Sequence, residues 1–205
     1  SEAENPVRER VFSRRLLNWE LDHYIQWGLE ARLDRKLTDA ERSRLDELFT
    51  PLLDELTQIP TVLVHRDYQS RNLMVVGQGE HRSLVLIDFQ DALMGSAVYD
   101  TVALLCDSYI AIPADLQWDM VQRLRQRAFP DVEPERFARW FHLQAVQRKL
   151  KDAGRFVFID RVKGNPDFLP HIPRSLEYVR RSLDELEHMA GLYRTLEDMG
   201  GLDAA

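Results

Sequence analysis

Cysteine is nearly absent from the sequence, and its single occurrence, Cys106, excludes an internal disulfide framework. Lysine is scarce as well, with four among 27 basic residues, and 34 acidic residues bring the formal net charge to −7. This balance argues against general nucleic-acid binding, which requires a basic excess. No apolar run approaches the roughly 20 residues of a membrane span, and the N-terminus is unlike a signal peptide. We therefore expect a cytoplasmic protein with neither a nucleic-acid nor a membrane partner.

The length is sufficient for one domain with its own core. The 205 residues are 44% hydrophobic and 30% charged, which is ordinary for a globular protein. The chain begins at Ser1 rather than at a methionine, and from this we expect a segment of a longer protein.

Helical periodicity dominates the sequence. Apolar residues recur at helical spacing from Pro6 to about Arg35, and Thr38 with Glu41 forms a capping-box pattern that opens the next helix. Pro51 is expected to kink or divide that helix. Further helices are predicted over 99–110, 114–128, 134–155 and 174–199.

Three short β-rich runs interrupt the helices, over 61–64, 72–76 and 83–87. Gly77-Gln78-Gly79 separates the second run from the third, which predicts a hairpin. The segment opens a turn and no third glycine follows, so we interpret it as a turn and not as a phosphate-binding loop. The predicted fold class is mainly α with a small β-hairpin (α+β).

A group of polar residues surrounds these strands. His65, Asp67 and Asn72 form the pattern H-x-D-x-x-x-x-N between two strands, and Asp88 ends the next strand. Phosphoryl transfer from a nucleotide requires a carboxylate that orients the acceptor hydroxyl and takes its proton, and oxygen ligands for Mg²⁺. We therefore expect Asp67 to be the catalytic base, Asn72 and Asp88 to bind the metal, and His65 to brace the loop by hydrogen bonding. The alternative is that these are unrelated polar residues near turns.

These motifs resemble the C-terminal lobe of the aminoglycoside phosphotransferase/choline kinase-like superfamily, which has the protein-kinase fold. His65-Arg66-Asp67 and Ile87-Asp88-Phe89 match its catalytic and metal-binding motifs. The resemblance implies the use of ATP and Mg²⁺, and a structural role for Asp100, which would bond back to the catalytic loop. The sequence alone equally allows Asp100 to be an ordinary helix N-cap.

Longer segments that begin at His65, Ile87 and Trp140 are similar to a bacterial subgroup of this superfamily. Its members are anomeric kinases of N-acetylmuramate and N-acetylglucosamine in cell-wall recycling, and the similarity runs over about 18–182. It implies transfer of a phosphoryl group to the anomeric hydroxyl of the sugar. A protein kinase is disfavoured because Gln90 replaces the glycine of its D-F-G motif and Gln69 stands where it usually has lysine.

A kinase fold also has an N-terminal lobe with a Gly-rich loop and a strand lysine. None of the four lysines lies in a convincing strand. We therefore expect residues 1–205 to form the C-terminal catalytic and substrate-binding lobe, with the N-terminal nucleotide lobe of the same parent protein as its partner. Weak or no catalysis is expected from the chain alone.

The acceptor site is less clearly indicated. The helix around Trp140 is basic, and its candidates for substrate binding are Gln144, Gln147, Arg148 and Lys151. A sugar with a carboxylate would favour such a surface, although a solvated helix face explains it equally well. Asp91 is a further candidate for substrate binding, or a local turn residue. Two other functions remain open: an aminoglycoside or choline-like amine kinase, and a non-catalytic binding module.

Overall fold

The computed structural model describes residues 9–203 and is mainly helical within them. The first helix, α1, continues directly into a π-helical segment, Tyr24–Ala31. The α-helices are α1 (Arg14–His23), α2 (Asp39–Leu56), α3 (Tyr99–Leu105), α4 (Ala114–Ala128), α5 (Pro134–Lys163), α6 (Ile172–Asp184) and α7 (Ala190–Asp198).

Four short strands form two antiparallel pairs. The strands are β1 (Thr61–Val64), β2 (Leu73–Val76), β3 (Ser83–Leu86) and β4 (Leu93–Ser96). Strand β1 pairs with β4, and β2 with β3 forms a hairpin in which Leu73 lies opposite Leu86. The residues that leave β1 and β3 are therefore held at the ends of two small, separate sheets.

Helix α5 is the central element of the core. It packs against α6, against the π-helical segment and against α3. Sixteen of its thirty residues are buried, including polar residues, because neighbours cover the helix on several sides. Cys106 lies in the same core, where burial raises the pKa of its thiol to about 12.

Several predicted elements are confirmed. Thr38 accepts a hydrogen bond from the backbone N–H of Glu41, and Glu41 accepts one from the backbone N–H of Thr38, so the capping box is complete. The hairpin, β1 and α4 lie where they were predicted. Gly77 and Gly79 have φ values of 94° and 56°, as the predicted turn requires.

Other boundaries differ from the prediction. Pro51 does not divide α2, helix α3 stops before Cys106, and α5 continues to Lys163 before Gly164 ends it in the left-handed conformation. The single helix predicted over 174–199 is instead α6 and α7, separated by a short 3₁₀ turn. Pro6, where the first helical stretch was expected to begin, lies outside the described residues. None of the helices within 9–203 combines the length and apolar character needed to cross a bilayer.

Candidate active site

The loop that follows β1 is anchored by Asp100 in the first turn of α3. The Asp100 carboxylate accepts hydrogen bonds from the backbone N–H groups of His65 (2.6 Å) and Arg66 (3.0 Å). The N-cap of α3 is Val98, so the cap position that the sequence allowed for Asp100 is not the one it occupies. Burial raises the pKa of this carboxyl, and the two N–H donors oppose the rise.

Arg66 holds the loop in a sharp turn. Its φ of 74° is in the left-handed region, which is costly for a residue with a side chain. The guanidinium lies over the ring of Phe12 at 5.3 Å and within 3.8 Å of Glu20. His65 is buried, and its ring packs edge-on against Tyr68. Both ring nitrogens of His65 are without hydrogen-bond partners among residues 9–203. The expectation that His65 braces the loop by hydrogen bonding is therefore wrong, and the ring braces the loop by packing.

The loop also fixes the side chain of Asn72. Its Nδ2 donates to the backbone carbonyl of Asp67 (2.7 Å), and the backbone carbonyl of Asn72 accepts a hydrogen bond from the backbone N–H of Ile87 (3.1 Å). Asp88 follows directly, with a φ of 71°, and accepts a hydrogen bond from Gln90 Nε2 (2.8 Å). The loop after β1 and the end of the hairpin are thus joined at the point where these candidates meet.

The donor set is suited to Mg²⁺. With Nδ2 of Asn72 already used, its amide oxygen is the atom left for a ligand, and Asp88 is an exposed carboxylate. Both are hard oxygen donors. In the part of the chain that the structure describes, no three His, Cys, Asp or Glu side chains are arranged to bind a metal. Asn72 and Asp88 are the side chains that would hold a magnesium ion here, with water and phosphate oxygens as further ligands, as is common for Mg²⁺.

A cavity of about 500 Å³ brings five of the ten predicted site residues together. Asp67, Asn72 and Asp88 line it, together with Asp91 and Lys151. Asp91 also lies 3.7 Å from Arg10 at the surface. The remaining walls include Glu20, Arg66, Gln69, Tyr99 and Asp152, and the aromatic and basic residues Trp19, His23, Arg71, Tyr109, Arg155, Phe156 and Phe168.

Three predicted substrate-binding residues do not reach this cavity. Gln144 donates to Gln147 (3.0 Å), Gln147 donates to Glu20 (2.8 Å), and all three side chains are buried. Arg148 is buried as well and lies over the ring of Tyr99 at 4.7 Å. The expectation of a substrate contact or a solvated face for Gln144, Gln147 and Arg148 is therefore corrected. The reason is that α5 is enclosed by its neighbours. The two glutamines pair inside the core, and the Arg148 guanidinium is buried against Tyr99 without a hydrogen-bond partner among the described residues.

A buried ion cluster behind the cavity was not predicted. Lys149 donates to Asp152 (2.8 Å) and to Ser108 (3.0 Å), and Lys151 lies 3.0 Å from the other oxygen of Asp152. Burial alone would raise the pKa of Asp152, but the two lysines hold it well below its usual range. The three-residue spacing of Lys149 and Asp152 on a helix is the signal that could have indicated this pair.

The sequence matches a family model described as the phosphotransferase enzyme family over residues 4–141. The chain belongs to this family. The region matched by the phosphotransferase family model contains Asp67, Asn72 and Asp88, and it ends inside α5 before Lys151 and Arg155.

Curated relatives extend the similarity over nearly the whole chain. An N-acetylmuramate/N-acetylglucosamine kinase of Neisseria meningitidis is 36% identical over 209 residues, covering 98% of this chain and 61% of the relative. Proteins of the same name from Pseudomonas putida and Pseudomonas aeruginosa are 33% and 29% identical, covering 90% and 92% of this chain and 55% and 56% of themselves. The chain thus spans about three fifths of the length of these phosphotransferase relatives.

Proposed function

We propose that this chain is the C-terminal lobe of a cytoplasmic kinase that transfers a phosphoryl group from ATP to an amino sugar. The acceptor would be the anomeric hydroxyl of N-acetylmuramate or N-acetylglucosamine, in cell-wall recycling. The observation that carries the proposal is the convergence of Asp67, Asn72 and Asp88 on one cavity. The names of the relatives support the choice of acceptor.

Proton transfer, metal binding and positioning of the loop would each be carried out by different residues. Asp67 would accept a hydrogen bond from the acceptor hydroxyl and take its proton as the new P–O bond forms and the bond between the β- and γ-phosphates breaks. The sugar 1-phosphate and ADP are the products. Asn72 and Asp88 would hold Mg²⁺, which when bound offsets the negative charge of the phosphates. Asp100 would keep Asp67 in place through the backbone of His65 and Arg66.

The hairpin supports the existence of a nucleotide lobe that would cover it. Several of its apolar residues are largely exposed, namely Met74, Val75, Val76, Leu84, Val85 and Leu86. Successive residues of a strand point to opposite faces, so apolar side chains are exposed on both faces of the hairpin, and exposed apolar patches are typical of an interaction site. We propose that the N-terminal lobe of the parent protein covers this surface and supplies the other half of the nucleotide cleft.

The test is turnover by a protein in which the N-terminal lobe accompanies this chain. ADP release would be followed with ATP, Mg²⁺ and a panel of N-acetylmuramate, N-acetylglucosamine, an aminoglycoside and choline. We expect turnover with the amino sugars, and a loss of about 10²–10⁴-fold in kcat for Asp67→Asn, because general-base catalysis contributes by that order.

The matched control is Asp131→Asn, an exposed loop aspartate outside the cavity, which should leave turnover unchanged. Full activity of Asp67→Asn would refute the catalytic assignment. Turnover with choline or the aminoglycoside and not with the amino sugars would instead establish an amine kinase. No turnover with any acceptor would favour a binding module.

A further inference from the structure

One wall of the cavity is aromatic and basic. Trp19 is 57% exposed and stacks on His23, with 5.6 Å between the ring centroids. His23 in turn contacts Phe158 at 5.3 Å, and the guanidinium of Arg155 lies over the same Phe158 ring at 4.8 Å. Arg155 therefore lies next to the flat surface that Trp19 and His23 form.

Two of the four lysine and arginine residues that line the cavity already have carboxylate partners. Lys151 lies 3.0 Å from Asp152, and Arg66 lies 3.8 Å from Glu20. Two lining cations, Arg155 and Arg71, form no ion pair with a carboxylate among the described residues. Arg71 is adjacent to Asn72 in sequence and stacks over Tyr109 at 5.0 Å, whereas Arg155 belongs to the aromatic wall on α5.

The surroundings of Arg155 suit a carboxylate ligand. A guanidinium binds a carboxylate through two parallel hydrogen bonds, and the interaction strengthens where water is partly excluded. His23 does not add a charge of its own near neutrality, because burial, together with Arg155 and Lys151, lowers its pKa to about 4. The indole of Trp19 offers a flat apolar face of the kind that small-molecule sites use beside a few polar groups.

We propose that Arg155 binds the carboxylate of an acidic amino sugar whose ring lies against Trp19, and that it thereby sets the preference for acidic over neutral acceptors. The inference rests on the proposed function, since it takes the cavity to be the sugar site. N-acetylmuramate carries such a carboxylate and N-acetylglucosamine does not, so this pair of sugars isolates the contribution of Arg155.

Titration calorimetry of the 205-residue chain with each sugar tests the proposal. Arg155→Gln should weaken N-acetylmuramate binding by about 10- to 100-fold, the range expected for loss of a charge-assisted pair. Binding of N-acetylglucosamine should change less than about twofold. Trp19→Ala should weaken both sugars. Arg161→Gln is the matched control, because Arg161 is on the same helix, is exposed and does not line the cavity. Circular dichroism establishes that each variant is folded.

Two results would overturn the role of Arg155 while leaving the proposed function intact. One is an equal effect of Arg155→Gln on both sugars, and the other is a selective loss of N-acetylmuramate in Arg71→Gln but not in Arg155→Gln. If the unsubstituted chain binds neither sugar, the acceptor assignment itself fails, and the inference fails with it.

Discussion

Asp100 shows how one side chain can determine the course of the proposed catalytic loop. The backbone N–H groups of His65 and Arg66 point away from any sheet or helix ladder, and this carboxylate is the partner of both. A buried N–H without a partner costs about 1–3 kcal/mol, so the loop depends on this residue for its conformation. The dependence is stronger because Arg66 is in the left-handed region, a conformation that persists only when its surroundings enforce it.

We therefore expect Asp100→Ala to lower the free energy of unfolding by about 2–4 kcal/mol, since it leaves two N–H groups unpaired. Asp100→Asn retains one acceptor oxygen and should lose about half as much. Urea unfolding of both variants provides the measurement, with Asp131→Ala as the control for removing an exposed aspartate. An unfolding midpoint for Asp100→Ala equal to that of the unsubstituted chain would contradict this role.

A close contact between α5 and the end of α1 determines the spacing of the two helices beside the cavity. A Cβ placed at Gly154 would lie 2.8 Å from Cα of Tyr24 and 3.1 Å from the carbonyl oxygen of His23. Both atoms belong to the backbone and cannot rotate away. Gly154 therefore sets how closely Trp19 and His23 on α1 approach Lys151 and Arg155 on α5.

Gly154→Ala should consequently destabilise the protein, although alanine is the better helix former. The helical preference is worth about 1 kcal/mol, whereas overpacking against backbone costs about 1–3 kcal/mol, so we expect a net loss of about 1–2 kcal/mol. In the control, Gly191→Ala, the nearest atom is the mobile Leu48 Cδ2 at 3.2 Å, and a neutral or slightly stabilising effect is expected. Thermal unfolding of the two variants compares them directly. A higher unfolding temperature for Gly154→Ala than for the unsubstituted chain would contradict this, because it would show that the two helices can move apart without a loss of stability.

The same elements show how far the sequence predicts the structure. The catalytic loop and the hairpin were predicted because their signals are local, in a short motif and a glycine turn. Strand β4 was missed because Leu-Met-Gly-Ser has neither alternation nor β-branched residues, and it forms only by pairing with β1. The orientation of Gln144, Gln147 and Arg148 could not be predicted, because which side of α5 meets the cavity depends on helices distant in sequence.

At the scale of the whole molecule, the described residues form the cavity proposed for the acceptor and a hairpin whose apolar side chains are largely exposed. The cavity includes the proposed base and metal ligands, but no Gly-rich phosphate loop is found in the sequence. The half of the nucleotide cleft that positions the phosphates would therefore have to come from another lobe. Affinity for the sugar and turnover of ATP should accordingly be separable properties.

We predict that the 205-residue chain binds amino sugar but turns over ATP at least about 10²-fold more slowly than a protein that includes the N-terminal lobe, because positioning dominates phosphoryl transfer. Parallel measurements of sugar affinity and of ADP release for the two forms test this. Equal turnover rates would show that residues 1–205 are sufficient for catalysis.

At Asp88, the residue that would give the most stable fold differs from the residue that the proposed chemistry requires. Its φ of 71° would suit glycine better than any side chain, and its carboxylate contacts only Gln90 nearby. Under selection for heat resistance alone, Asp88→Gly would be an advantageous replacement, and it would remove a proposed metal ligand. Laboratory evolution that selects only for thermal stability should therefore tend to yield more stable proteins that have lost the proposed magnesium site.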